Sequence, residues 1–355
     1  LNTKPAIFYI QAARGVAVLL VMLFHASRIG QKYFNYNFMG LAEYGRSGAY
    51  TFFFVLTGYL MYTLYHKHFG DSSMLKSFLY KRFARIYPVY WLITLVVIPI
   101  YFLVPSFGEG FERKPSVIVE SLLLLPQATG PILSVAWSVT YIVWFYLMFS
   151  LLFLISEKAV AAVYSSWITV IVLHMLGWLH IRDGVWGQFL VSEFHLEFFA
   201  GIAVGYIVRK RKSLGNNMAW ILSGGAAYVV LWLIRYRNAV IPYVDLLHMV
   251  GSVLILVGIV TWRGKIHEWL TPLKHCGDAS YSILLASLPA MSVIYKLERG
   301  LHIPDHLGLP LTVTICFLTG LGVCLLFYRW IEQPINTFLK KREPARARRI
   351  ETRIA

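Results

Sequence analysis

Charge is scarce in this chain. Asp, Glu, Lys and Arg make up only 14% of its 355 residues, and the acidic ones number 17. Soluble domains carry roughly 25% charged residues, so an ordinary water-soluble globule is excluded. Cysteine is almost absent: Cys276, Cys316 and Cys324 form no CxxC pair, which excludes a disulfide framework and a cysteine zinc site. His and acidic residues nowhere fall at metal-ligand spacing, so no metal is expected. The chain also lacks low-complexity tracts, clear internal repeats and any soluble second domain. What charge there is leans one way, with 33 Lys plus Arg and a net +16. Such an excess suits nucleic acid, but here the basic residues sit in short loops between apolar runs. That is the signature of membrane insertion, and no nucleic-acid partner is expected.

Apolar residues reach 58% of the chain, and the mean hydropathy is +0.61. Runs long enough to cross a bilayer as helices fall near 7–27, 48–66, 87–105, 134–156, 159–180, 188–208, 217–234, 242–262, 279–297 and 311–331. The expectation is an all-α polytopic membrane protein of about ten transmembrane helices. With the N-terminus inside, inner segments hold 21 Lys plus Arg against 10 outside, which puts both termini in the cytoplasm. Residues 1–335 form the integral membrane domain and 336–355 a basic cytoplasmic tail suited to anionic lipid. The first run carries Arg14, and no small-residue cleavage site follows it. It therefore reads as a retained span, not a signal peptide. The longest outer loop, about 106–133, is rich in Pro and Gly; it either covers a cavity mouth or simply connects.

That first run holds two ionisable residues, Arg14 and His25. A charge inside a bilayer is costly and marks a functional site by default. Eleven residues amount to about three turns plus 20°, so both side chains share one helix face, about 16 Å apart along the axis. One helix thus offers a fixed cation and a titratable imidazole to the same interior. The bland reading is a snorkelling Arg and an interfacial His.

Four stretches follow one another in a telling order: Ala13-Arg14, ten residues, then His25; Phe52-Phe-Phe-Val-Leu-Thr57-Gly58; Lys81-Arg82-Phe-Ala-Arg85-Ile-Tyr87-Pro88; and Ala136-Trp137-Ser138. Weaker echoes come at Leu196-Glu197-Phe-Phe-Ala-Gly201, at Gly277-Asp278-Ala-Ser280-Tyr281-Ser282 and at Tyr328-Arg329-Trp-Ile-Glu332-Gln-Pro334. The ordered set, spread over nearly the whole chain, resembles the acyltransferase family 3 membrane proteins, especially the bacterial branch that O-acetylates exopolysaccharides. The resemblance implies a ten-helix acyltransferase of the bacterial cytoplasmic membrane, acyl-CoA as donor, a catalytic His25, and a donor-holding pair Arg82 and Arg85.

The residues themselves suit that chemistry. A neutral imidazole near pH 7 can take the proton of an attacking hydroxyl. Arg14 can bind a donor oxygen or stabilise an oxyanion. Lys81, Arg82, Arg85 and Tyr87 are the expected acetyl-CoA contacts, since forked guanidinium groups match phosphate oxygens; the positive-inside pattern alone is the alternative for the basic ones. Trp137, Ser138 and Glu197 are the expected acceptor contacts, with an interfacial belt for the Trp and simple hydration for the Glu as alternatives. Thr57-Gly58 reads first as a close helix crossing. Expected partners are a glycan or lipid-linked glycan acceptor, membrane lipids and polysaccharide assembly proteins.

Three positions depart from the family pattern. Thr51 stands where an Asp is common, Ile142 where a Glu usually follows the Trp-Ser stretch, and Ser287 where a His is usual. An acidic neighbour would orient His25 and raise its basicity, so another group, such as Glu197 or Ser138, has to serve. A non-catalytic scaffold and a transporter or flippase are the competing readings.

Overall fold

The computed structural model describes residues 4–43, 47–181, 184–211, 214–237 and 241–342. In chain order its α-helices are α1 (Lys4–Phe34), α2 (Tyr50–Tyr65), α3 (Leu75–Leu103), α4 (Pro115–Leu123), α5 (Trp137–Ser150), α6 (Glu157–Met175), α7 (Val185–Leu190) and α8 (Phe194–Lys210). There follow α9 (Asn217–Tyr236), α10 (Val244–Val260), α11 (Thr271–Asp278), α12 (Ser280–Gly300), α13 (Ile303–Leu307), α14 (Leu309–Phe327) and α15 (Gln333–Lys341). No strand occurs among the described residues, so the protein is an all-α polytopic membrane protein. Eight helical segments there are long and apolar enough to cross a membrane. Two more of the ten expected runs coincide with α2, of 16 residues, and α10, of 17. Of the basic tail, residues 343–355 lie outside the described residues.

The chain divides into two units, one made mainly of residues 54–215 with 336–355, the other of 2–53 with 216–335. The outward apolar side chains fit a lipid surround: Val96 on α3 is 60% exposed and Leu222 on α9 is 63% exposed. In water such belts would drive association.

In the first unit an aromatic core gathers around Phe54, Phe145 and Phe198. The last stacks on the other two at centroid distances of 4.7 and 4.4 Å. Helices α2 and α8 cross with backbones in contact, because Gly58 and Gly201 face the opposite chain. A Cβ on Gly58 would lie 2.0 Å from the Phe198 carbonyl oxygen, and one on Gly201 would lie 1.9 Å from that of Val55. The expected close crossing at Thr57-Gly58 is therefore present.

The long loop at about 106–133 is not a bare connector. Its α4, with Pro115 in its first turn where the missing N–H costs nothing, packs on α3. Three donors of α3 take successive carbonyls at its C-terminal end. The Tyr90 hydroxyl donates to Ser121 at 2.6 Å, Trp91 Nε1 to Leu122 at 2.8 Å and the Tyr87 hydroxyl to Leu123 at 3.1 Å. The last carbonyls of a helix lack the full set of intrahelical partners, and these side-chain donors supply partners there. At the other end of the hairpin the buried Glu112 carboxylate accepts from the Glu109 and Gly110 amides.

In the second unit α1 packs along α11, α12 and α14, and α9 and α10 form a hairpin. Asn216 starts α9 by accepting from the Met218 and Ala219 amides at 3.0 and 3.3 Å, a standard N-cap. Helix α1 ends where Asn35 turns to φ 50°, a left-handed conformation that Asn tolerates.

Candidate active site

Helix α1 carries Arg14 and His25, and its close seat on α11 fixes Arg14. Gly15 and Gly277 face each other there: a Cβ on Gly15 would meet the Leu273 carbonyl oxygen at 1.9 Å, and one on Gly277 that of Gln11 at 1.8 Å. With no side chains between them the backbones touch, and α12 starts beside Arg14. Arg14 Nη2 donates to Ser280 Oγ at 2.6 Å, and Nη1 donates to Gln11 Oε1 at 2.9 Å. The guanidinium of the half-buried Arg14 is thus oriented by side chains.

The next turn of α12 is locked in its own way. The Ser282 amide and hydroxyl both donate to Glu332 Oε2, at 3.1 and 2.5 Å. Glu332 is fully buried, while Arg329 and Trp330 are exposed. A single π-helical turn at Tyr328–Glu332 makes this possible, since its wider winding shifts the phase of the residues that follow.

His25 is half-buried. Within its own unit it makes no hydrogen bond among the described residues. Its ring meets the edge of Phe24 at 5.3 Å, and Arg28 lies one turn further along α1, its guanidinium over the Phe24 ring.

The other expected residues belong to the first unit. The Arg82 guanidinium lies in an aromatic box, with Tyr65, Phe78 and Tyr146 at 5.5, 5.7 and 5.7 Å. One nitrogen donates to the Tyr65 hydroxyl at 3.0 Å. Ring faces attract cations most strongly when desolvated, so the box holds Arg82 in place. Lys81 is buried and Arg85 half-buried on the same helix. Tyr87 directs its hydroxyl to Leu123, as described above. Trp137 meets Phe54 and Phe194 at 6.2 and 5.3 Å. Ser138 is buried, and its hydroxyl donates to the Val135 carbonyl at 3.0 Å. Glu197 is fully buried, so simple hydration does not account for it. Of the departing positions, Thr51 and Ser287 are buried and Ile142 is half-buried.

Sequence reasoning missed Gln11, Ser280 and Glu332 as partners. Gln11 is a local partner, three residues before Arg14 on α1; the stretches of Ser280 and Glu332 were visible as echoes, but nothing local tells that Ser280 meets Arg14 across 266 residues or Glu332 meets Ser282 across 50. It also gave no role to His195. This residue is 1% exposed and caged by Trp167, Tyr141 and Phe189 at 4.7, 5.2 and 5.3 Å. Its Nε2 donates to the Phe189 carbonyl at 3.0 Å.

Ser280→Ala removes one of the two side-chain contacts described for Arg14. Hydrogen bonds to charged groups are worth about 1.5–3 kcal/mol, so turnover should fall roughly tenfold with the melting temperature nearly unchanged. Steady-state kinetics beside thermal unfolding checks this, and unchanged kinetics would remove Ser280 from the site.

Residues 7–329 match the model of a family described as an acyltransferase domain. The chain is 26% identical over 350 residues to the "Exopolysaccharide production protein ExoZ" of Rhizobium meliloti (strain 1021), an alignment covering 94% of this chain and 98% of that protein. No solved structure matches.

Proposed function

The chain belongs to this acyltransferase family, and on that premise we propose that it moves an acetyl or similar short acyl group from acyl-CoA to a glycan hydroxyl. The acceptor is an exopolysaccharide, another cell-envelope glycan or a lipid-linked precursor. The membrane is the bacterial cytoplasmic one, with both termini inside. The similarity to an exopolysaccharide production protein along nearly the whole chain supports the acceptor class. The observation that carries the reading is the pairing of an oriented Arg14, held by Ser280, with His25 on the same face of one helix.

His25 acts as general base. It takes the acceptor hydroxyl proton as that oxygen bonds to the thioester carbonyl carbon. The carbon–sulfur bond then breaks, and the imidazolium returns the proton to the leaving sulfur, so the ring ends neutral. Arg14, about 16 Å from His25 along the helix, binds a donor oxygen remote from the reacting carbon. Lys81, Arg82 and Arg85, with Tyr87 beyond them, hold the donor phosphates, and Trp137, Ser138 and Glu197 contact the acceptor. Polysaccharide assembly proteins are the natural partners, since the product is one step of a polymer.

Transfer of labelled acetyl from acetyl-CoA to isolated exopolysaccharide by the purified protein tests the reaction. Arg85→Gln should raise the KM for acetyl-CoA at least roughly tenfold, because it removes one charge-assisted contact. Unchanged KM would move the donor elsewhere. Flux of glycan into proteoliposomes without acetylation would favour a transporter.

A further inference from the structure

The second unit holds a groove of about 690 Å³ between α1 and the α9–α10 hairpin, floored by the segment at 262–273. Its size is that of a ligand site, but its chemistry is not that of a glycan or nucleotide site. Ala13, Val16 and Leu20 of α1, Ile221 and Val229 of α9 and Ile255 of α10 make much of the wall. The two tyrosine hydroxyls that border it are already engaged. The Tyr228 hydroxyl bonds Ser252 Oγ at 2.7 Å and the Gly48 carbonyl at 3.3 Å. The Tyr9 hydroxyl bonds the Lys265 carbonyl at 2.8 Å and His267 Nδ1 at 2.5 Å. Only hydrocarbon is matched by such a surface. On the α1 wheel Ala13, Val16 and Leu20 lie roughly 140° from Arg14 and His25, so this groove backs onto the active helix and is not its reaction chamber.

One end is different. Around Tyr9, Trp262, His267 and Trp269 the groove opens beside the exposed Arg263 and Lys265. Glu268 is exposed at the same rim, which leaves one net positive charge there. Trp and Tyr are the residues of the headgroup level, and basic pockets between membrane helices at the cytoplasmic face bind anionic headgroups. From Tyr9 to Leu20 the groove follows α1 for about 16 Å, about half the hydrocarbon thickness of a bilayer. An apolar slot one leaflet deep with a cationic, aromatic mouth has the shape and charge of one ligand class.

We propose that this groove binds a single anionic phospholipid, with its acyl chains along α1 and α9 and its phosphate at Lys265 and the Tyr9–His267 rim. The proposal does not depend on the acyl-transfer reading.

Gly225 makes the test clean. It lines the groove, and a Cβ built on it meets nothing within 4 Å, so Gly225→Phe fills the slot without disturbing packing. Native mass spectrometry of the protein taken from nanodiscs of equal phosphatidylglycerol and phosphatidylcholine is the measurement. The wild type should retain one phosphatidylglycerol. Gly225→Phe should lose both lipids. Lys265→Glu should keep one lipid and lose the preference at least roughly fivefold, the worth of about one surface cation. Equal retention of the two lipids by the wild type would overturn the proposal, as would retention unchanged in Gly225→Phe. Displacement of the phospholipid by equimolar undecaprenyl phosphate would overturn it in favour of an isoprenoid. A dimer abolished by Gly225→Phe would give the groove to a second copy of the chain.

Discussion

His25→Ala should abolish acyl transfer while leaving the protein folded. Removing a general base costs roughly 10²–10⁴ in turnover, the largest kinetic effect expected of any single substitution here. The loss should be confined to chemistry, because within its unit the imidazole makes no hydrogen bond among the described residues and touches mainly the edge of Phe24. Truncation therefore leaves no buried partner unsatisfied, which is the usual route to large destabilisation. The decisive measurement pairs single-turnover transfer from acetyl-CoA with thermal unfolding and acetyl-CoA affinity. Transfer lost with affinity and melting temperature kept is the expected result. Wild-type turnover in this variant would sink the role given to His25. His25→Gln separates base from bulk: it keeps a polar side chain of similar reach but takes no proton, and should be as inactive.

The largest structural effect belongs to Gly277. Gly277→Leu should leave no monodisperse protein after detergent extraction, whereas Gly225→Leu in the same unit should behave as wild type. The two glycines differ in what a side chain would meet. At Gly277 the first added carbon falls 1.8 Å from the Gln11 carbonyl oxygen and 3.1 Å from the Gly15 amide; at Gly225 it meets nothing within 4 Å. Ordinary overpacking costs about 1–3 kcal/mol because flexible side chains give way. Here backbone faces backbone, so the helices α1 and α11 have to part. Ser280, three residues beyond Gly277, then leaves Arg14, so even Gly277→Ala should cost activity before it costs the fold. Fluorescence-detected size exclusion with activity of the surviving fraction reads both. A monodisperse, fully active Gly277→Leu would show that the crossing is not required.

The same contrast shows how far reading along the chain could go. Apolar runs placed the long helices because lipid demands continuous hydrocarbon and internally satisfied backbone, a constraint written locally in composition. Thr57-Gly58 declared a close crossing for the same reason, since only a small residue permits it. The partner, Gly201, is 143 positions away and carries no mark that pairs it with Gly58. Helix α4 was hidden in a loop because nine residues are too few to span a membrane. It stands on the hydroxyls of Tyr87 and Tyr90 and the indole of Trp91, all on another helix. Tyr87, beside Arg82 and Arg85 in sequence, also donates its hydroxyl to the Leu123 carbonyl, a contact that no local pattern announces.

Composition and residue order alone thus determined the solvent of this protein, its helical class and the shared face of Arg14 and His25, because each follows from periodicity or from the cost of charge in hydrocarbon. Folding decided the rest. It brought Ser280 to Arg14 across the Gly15–Gly277 contact, turned Glu332 inward through one π-helical turn to hold Ser282, and closed an aromatic box on Arg82. Most of those contacts join positions tens to hundreds of residues apart, and their energy exists only once packing has expelled everything between them.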